Sequence, residues 1–311
     1  MKQKPHGSEI VINEYQGVSA QAKQLIKNAF PTIYEKYLKQ IHLRIIDHRH
    51  EPVLREYVNR IMHEKPFPLF SYVEIETINR CNNNCSFCPA NRNEDKRPFM
   101  LMDRRLFVSI IEQLRELRYS KIIGIFSNNE PLLDDRLAEF CRMAREACPK
   151  AHLLIMTNGL LLTVPKLDIL MKYLDKIIID NYDDDLKFTK QTQEIYDHCV
   201  KNNLYKDKII IFLRKKNEIL TNRAGQAHNR TRLRIPLRTP CAYPFTQFVI
   251  RPDGKVSLCC NDAMGQMTMG DLNREKIVDI WNGNNFRSIR EGLMHSRQSI
   301  RMCSMCDSGF L

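Results

Sequence analysis

Residues 76–92 read ETINRCNNNCSFCPANR, and this stretch decides the rest. It sets Cys81, Cys85 and Cys88 in one short loop with the spacing C-x3-C-x2-C, close enough for three thiolates to share one metal centre. A structural zinc would want a fourth protein ligand at hand. The nearest histidines are His63 upstream and His152 far downstream. Three thiolates on a cubane iron–sulfur cluster would instead leave one iron open to a non-protein ligand, and an open position is what a catalytic metal keeps. The loop therefore reads as a catalytic cluster site.

Working outward, SYVEIET (residues 71–77) alternates and then turns polar, which predicts a strand feeding the cysteine loop. Downstream, helical and strand patterns take turns. Residues 101–117, 134–147, 164–174 and 186–203 read as helices, and 121–126, 152–157, 175–180 and 208–215 as strands. Strands alternating with helices at this pitch predict a parallel sheet, and in parallel α/β barrels functional residues gather at the C-terminal strand ends. The cysteine loop, Asn128-Asn129-Glu130, Thr157-Asn158, Asp180-Asn181 and Arg214 all fall at such ends.

Composition narrows the class. The chain has 311 residues, 43% apolar and 27% charged, with only 11 Gly and 14 Pro, which excludes disordered, collagen-like and small secreted proteins. No run of about eighteen apolar residues predicts a membrane span, and the N-terminus lacks the apolar core of a secretory signal, so a cytoplasmic protein is expected. Of the net charge of +12, most sits between Lys201 and Arg238, where eleven Lys or Arg face two acids. That run is a solvated basic face or a positive field for an anionic ligand. It lacks the interleaved aromatics of a stacking platform, so nucleic acid is not the expected partner.

Eleven cysteines without a secretory signal argue for metal or redox chemistry. Cys141, Cys148 and Cys199 stand alone in helical patterns and read as small core side chains. The tail gathers the others: CAYPFTQFVIRPDGKVSLCC (residues 241–260) and a C-x2-C at Cys303 and Cys306. The first of these reads as a hairpin around Asp253-Gly254, a pair that a type I′ turn favours. Four thiolates suit an all-cysteine zinc site or a second iron–sulfur cluster, and spacing alone leaves both open. Cys259 and Cys260 are strand neighbours that point to opposite faces, so both cannot easily serve one site. Trp281 reads as core packing, and His48 and His50 as a solvated pair.

The C-x3-C-x2-C motif after a first strand resembles that of the radical S-adenosylmethionine (radical SAM) superfamily. The resemblance covers residues 70–311 and implies a partial (β/α)6 TIM-like barrel. Cys81, Cys85 and Cys88 would hold a 4Fe-4S cluster whose open iron is chelated by S-adenosylmethionine. Phe87 matches the aromatic whose backbone meets the adenine. SNNEP (residues 127–131) stands where the family has GGEP, with Asn128 and Asn129 replacing both glycines, and Glu130 matches the methionine-binding element. Asn129, Thr157, Asp180 and Asn181 are the other expected cofactor contacts. TNRAG (residues 221–225) is similar to a stretch common in one branch.

The tail resembles a twitch domain, the short form of the SPASM module, which implies a second, auxiliary 4Fe-4S cluster on Cys241, Cys259, Cys303 and Cys306. The expected organisation is a helical N-terminal extension (1–70), the radical SAM partial barrel (71–238) and a small hairpin-and-helix twitch domain (239–311). The implied chemistry is reductive cleavage of S-adenosylmethionine to a 5′-deoxyadenosyl radical and abstraction of hydrogen from a small substrate. A sugar, aminocyclitol or similar alcohol is expected, with an electron passed to the auxiliary cluster and a flavodoxin or ferredoxin as external donor. Arg214 and Asp180 are the candidate catalytic residues, with Arg214 the expected contact for an anionic or hydroxyl-rich ligand. The rivals are a ribosomal-peptide maturase and a non-enzymatic metal-binding regulator.

Overall fold

The computed structural model describes residues 11–13 and 29–309, except 94, 219, 231 and 234. Nine strands form one sheet: β1 (Val11–Asn13), β2 (Tyr72–Ile75), β3 (Ile122–Gly124), β4 (His152–Thr157), β5 (Lys176–Tyr182), β6 (Ile209–Arg214), β7 (Gln247–Ile250), β8 (Lys255–Ser257) and β9 (Thr268–Asp271). Their spatial order is β1-β6-β5-β4-β3-β2-β7-β8-β9, parallel from β1 to β7 and antiparallel in the last two pairings. This is an unclosed, mostly parallel α/β sheet: the alternation predicts the parallel sheet, and the family resemblance implies the partial barrel.

Two details depart from expectation. Five strands, β2 to β6, rather than six, succeed one another through the β/α repeats. A further parallel strand at that edge comes from the N-terminal extension, where Val11–Asn13 pairs in register with Ile210–Phe212. The extension is therefore not wholly helical. β-branched Val11 and Ile12 suit a strand, and they cover an edge that β6 would otherwise leave unpaired.

The helices behave as their patterns dictate. A long helix, α1 (Lys39–His63), is followed by α2 (Arg104–Glu116), α3 (Leu137–Ala147), α4 (Val164–Leu170) and α5 (Lys190–Asn202). Asp103 caps α2 by accepting from Arg105 N at 2.7 Å. Phe107, Ile110, Ile111 and Leu114 then recur at helical spacing and are buried against the sheet. Phe107 stacks on Phe140 of α3 at 4.1 Å between centroids, and Cys141, Cys148 and Cys199 are buried in this layer as expected.

The tail continues the barrel sheet. β7 pairs in parallel with β2, Tyr72 opposite Gln247 and Ile75 opposite Ile250, and carries the hairpin to β8 with it. The turn is not the expected type I′, which needs positive φ at both central residues. Pro252 holds the first central position at negative φ, and only Gly254 takes positive φ (+81°), as its amide donates to Arg251 O at 3.0 Å. The result is a three-residue turn with Gly254 in the left-handed position. Four helices complete the tail: α6 (Tyr243–Thr246), α7 (Ile277–Asn282), α8 (Asn284–His295) and α9 (Arg301–Ser304). Trp281 of α7 is fully buried among Phe70, Phe248 and Phe286, and its Nε1 donates to Pro68 O at 2.9 Å.

Candidate active site

The loops after β2, β3 and β4 and the C-terminal end of β5 converge on one open cavity. Its wall includes Cys81, Cys85, Cys88, Phe87, the 126–130 loop, Thr157, Asn158, Asp180 and Arg223. Phe87 is almost wholly buried and leans on Tyr182, 5.7 Å between centroids. Burial pushes the Cys81 thiol up to about 12, and raises Cys85 and Cys88 likewise. Left free, these thiols stay protonated, whereas binding to a metal deprotonates a thiol outright.

Glu130 is the keystone of the wall. Its buried carboxyl accepts from Thr157 Oγ1 (2.7 Å), Asn158 N (2.7 Å) and Leu132 N (3.0 Å). Burial raises its pKa, and these hydrogen bonds oppose the rise. Its own amide donates to Arg80 O at 2.8 Å, and Asn158 Nδ2 donates to Asn82 Oδ1 at 2.7 Å. Glu130 thus ties the β3 and β4 loops to the cysteine loop. Beside it, Asn128 Oδ1 and Asn129 Nδ2 are buried with no hydrogen-bond partner. Two orphaned polar atoms in the wall of a cavity beside three thiols fit a polar cofactor that would complete them.

The other expected residues divide. Asp180 lines the cavity and accepts from Arg214 Nε at 2.8 Å. Arg214 does not line it: it is held by Asp180 and Glu218 and lies over the Phe212 ring. Asn181, the strand neighbour of Asp180, points the other way and braces its own loop, donating to Lys187 O and accepting from Thr189 N. The cation in the cavity is Arg223, from the TNRAG stretch, where Arg223, Ala224 and Gly225 all have positive φ. Its loop has no periodicity that would have marked the side chain in the sequence. Its charge lies near Glu74, a buried carboxyl on β2 that accepts from Ser127 Oγ at 2.7 Å and is pushed up to about 7 by burial.

The tail cysteines form a second set next door. Cys241, Cys259, Cys303 and Cys306 are each under a tenth exposed. Burial raises all four thiols, and those of Cys260, Cys241, Cys306 and Cys303 also repel the thiolate form of Cys259. Among them lies Arg297, 1% exposed, which donates to Thr239 O and Ser308 O, both at 2.6 Å. A buried guanidinium bonded to carbonyls needs negative charge nearby. Thiolates on a cluster would supply it, and the fit to an anionic metal centre rests on this. Among the described residues, no three cysteine, histidine or acidic side chains crowd within reach of one ion. A tetranuclear cluster instead takes its ligands on separate irons. Cys260 lies between the two sites: its thiol is near Glu74 and Arg223 on one side and Cys241 and Cys306 on the other, and its carbonyl accepts from Asn128 Nδ2 at 3.1 Å. The Cys260 backbone is the partition between the two sites.

Comparison with known proteins agrees with this geometry. Residues 75–195 match the model of the radical SAM superfamily, and residues 241–307 that of the SPASM iron–sulfur cluster-binding domain. The chain is a radical SAM enzyme. It is 29% identical over 246 residues to the S-adenosyl-L-methionine-dependent 2-deoxy-scyllo-inosamine dehydrogenase of Niallia circulans, covering 77% of this chain and 94% of that protein. The crystal structure of BtrN in complex with AdoMet and 2-DOIA superimposes with a TM-score of 0.68 at 29% identity, over 78% of this chain and 94% of that one. An open conformation of BtrN gives 0.57 at 25% identity, with the same coverage. A putative glycyl-radical enzyme activating enzyme of Methanocaldococcus jannaschii is 27% identical over 119 residues, 35% of this chain and 32% of that protein. Radical SAM and SPASM domains bring a SAM-binding 4Fe-4S cluster, S-adenosylmethionine and auxiliary iron–sulfur chemistry. Among the described residues, no helix is long and apolar enough to cross a membrane.

Proposed function

We propose that this enzyme oxidises an alcohol carbon of a small polyhydroxylated substrate, an aminocyclitol or amino sugar, to a ketone. The observation that carries the reading is the placement of a three-thiol cavity and a four-thiol set on either side of the Cys260 backbone. When bound, the two clusters and S-adenosylmethionine supply the radical that removes a hydrogen atom and the acceptor for the remaining electron. Cys81, Cys85 and Cys88 would hold the first cluster, and Cys241, Cys259, Cys303 and Cys306 the auxiliary one. Phe87, Asn129, Glu130, Thr157 and Asp180 would shape the S-adenosylmethionine site, Glu130 by holding Thr157 and the Asn158 amide in place.

The chain itself must take the hydroxyl proton. Ser127 lines the cavity and donates to Glu74 Oε2 at 2.7 Å, so a proton received at Ser127 Oγ passes to the Glu74 carboxylate. A carboxyl titrating near 7 is matched to that task. Arg223 presents the cavity's cation to substrate hydroxyls and, through its charge, favours the ionised form of Glu74. A flavodoxin- or ferredoxin-class protein as electron donor and a cytoplasmic setting belong to the same reading.

The test is anaerobic turnover of the reconstituted protein with 2-deoxy-scyllo-inosamine and a panel of aminocyclitols and amino sugars. Ketone formed one-for-one with 5′-deoxyadenosine is the expected result. S-adenosylmethionine cleavage with none of the panel oxidised, but with a precursor peptide modified, would replace this reading with peptide maturation.

A further inference from the structure

A second cavity, about 1020 Å3, opens on the other side of the TNRAG loop from the active site. Lys96, Arg97, His228, Arg232 and Arg301 line it, and no Asp or Glu does so among the described residues. Arg97 is committed to Asp95 at 2.8 Å. Lys96, Arg232 and Arg301 are exposed, and among the described residues none of the three has an acidic partner. Ordinary surfaces intersperse the two signs; this mouth does not.

Four methionines stand in the apolar part of the wall, beside Pro89, Ala224 and Ala227. Met302 and Met305 lie in it, and in the chain they bracket Cys303, with Met305 next to Cys306. Two of the four tail cysteines therefore lie immediately behind this surface. Among the described residues no Phe, Tyr or Trp lines the cavity, so it lacks the row of large rings that a platform for bases uses. Flexible thioethers inside a polar, charged rim are the anatomy of an adaptable protein interface.

We propose that this face docks an acidic one-electron carrier protein of the flavodoxin or ferredoxin class. The carrier's carboxylates meet Lys96, Arg232 and Arg301, and its redox centre comes to rest against Met302 and Met305. A cluster held by Cys303 and Cys306 behind this wall would supply the one electron that reduces the oxidised carrier by one electron. The electron transfer rests on the proposed function, in that the tail cysteines hold a cluster; the docking surface does not.

The experiment measures the Kd of an oxidised flavodoxin for the reconstituted enzyme by calorimetry at low and high salt. The enzymes compared are wild type, a Lys96→Glu/Arg232→Glu/Arg301→Glu variant, and a control with Lys121→Glu and Lys150→Glu at the opposite strand ends. Wild type is expected to bind with affinity that falls as salt rises. The triple variant should bind about tenfold or more weakly, with a flattened salt dependence, and the control should match wild type. Dithionite-driven formation of 5′-deoxyadenosine should be unchanged in the triple variant, which reports intact folding. No binding by wild type, equal Kd for the triple variant, or equal loss in the control overturns the assignment. So does charge-dependent capture of a single-stranded RNA in place of the flavodoxin. Iron per chain, measured on the same samples, separates this from a failure of the cluster reading. Flavodoxin bound by a protein without auxiliary iron leaves the surface standing and removes the relay.

Discussion

Lys39 Nζ lies 2.6 Å from Asp307 Oδ2, with both side chains under a tenth exposed. Asp307 follows Cys306 directly, and its other oxygen accepts from Asn222 N at 2.7 Å. From the same helix α1, Asp47 accepts from Arg238 N and Thr239 N, both at 2.8 Å, two residues before Cys241. The N-terminal extension thus clamps the chain on both sides of the tail cysteine set. Removing one partner of a buried pair leaves the other charge uncompensated, at a cost of about 3–5 kcal/mol. Lys39→Met is expected to lower the melting temperature and to lose auxiliary iron before the first cluster's iron. Adding Asp307→Asn should recover part of both. Unchanged melting and iron content in Lys39→Met would show the clamp to be idle.

The Arg297 guanidinium opposes the rise that burial imposes on the Cys241 thiol. Its carbonyl bonds fix it in place, so its charge acts on the site without moving. A nearby cation favours the more negative, reduced form of a cluster. Arg297→Met is expected to shift the auxiliary cluster's midpoint potential downward in an EPR-monitored redox titration and to leave the first cluster where it was. An upward shift, or equal movement of both clusters, would contradict this.

Glycine 309 makes a sharper test of the same site. Its φ is +101°, and a Cβ there would stand 2.5 Å from Cys241 Sγ. A side chain is strained in that conformation, and the contact lies far inside van der Waals distance. Gly309→Ala should therefore displace Cys241 and lower auxiliary iron, from about eight irons per chain in total towards four. The Cys81/Cys85/Cys88→Ala variant should also hold about four, all in the tail. Zinc in the tail of either protein would make that site structural.

What the sequence made legible follows what it encodes locally. The C-x3-C-x2-C loop and the β/α alternation are short-range patterns, and the cavity forms where they place it. Val11–Asn13 could not be read as a strand, because three residues carry no period and their partner, β6, lies about two hundred residues away. The Asp253-Gly254 pair points to a type I′ turn only as long as Pro252 is left out, whose ring forbids the positive φ of a type I′ start. Arg223 is illegible for a different reason. Its orientation comes from a run of left-handed residues, and nothing in TNRAG announces that. Asp180 and Asn181 share a strand end in the sequence, but strand alternation admits only Asp180 to the cavity.

The buried carboxyls set how stability and turnover depend on pH. Burial raises Glu74 to about 7 and Glu76 to about 8. Arg223, Tyr72, Glu76 and Cys260 are the titratable or charged groups around Glu74. Because the folded-state value exceeds the unfolded one, the native state binds the proton more tightly. That contribution to stability is full below about pH 4.5 and is lost as pH rises through about 7. Glu74→Gln should therefore flatten the fall in stability across that window, by up to about 3 kcal/mol. Denaturant melts at a series of pH values measure it. Turnover has the opposite slope, since the proton acceptor is the ionised carboxylate: the wild-type rate should climb with pH to a plateau above about 7. Glu74→Gln should lose that limb while still forming 5′-deoxyadenosine, so that cofactor cleavage outruns ketone formation. If the limb survives in Glu74→Gln, the proton goes elsewhere, and Ser127→Ala, which removes the relay but keeps the carboxyl, should then be equally silent.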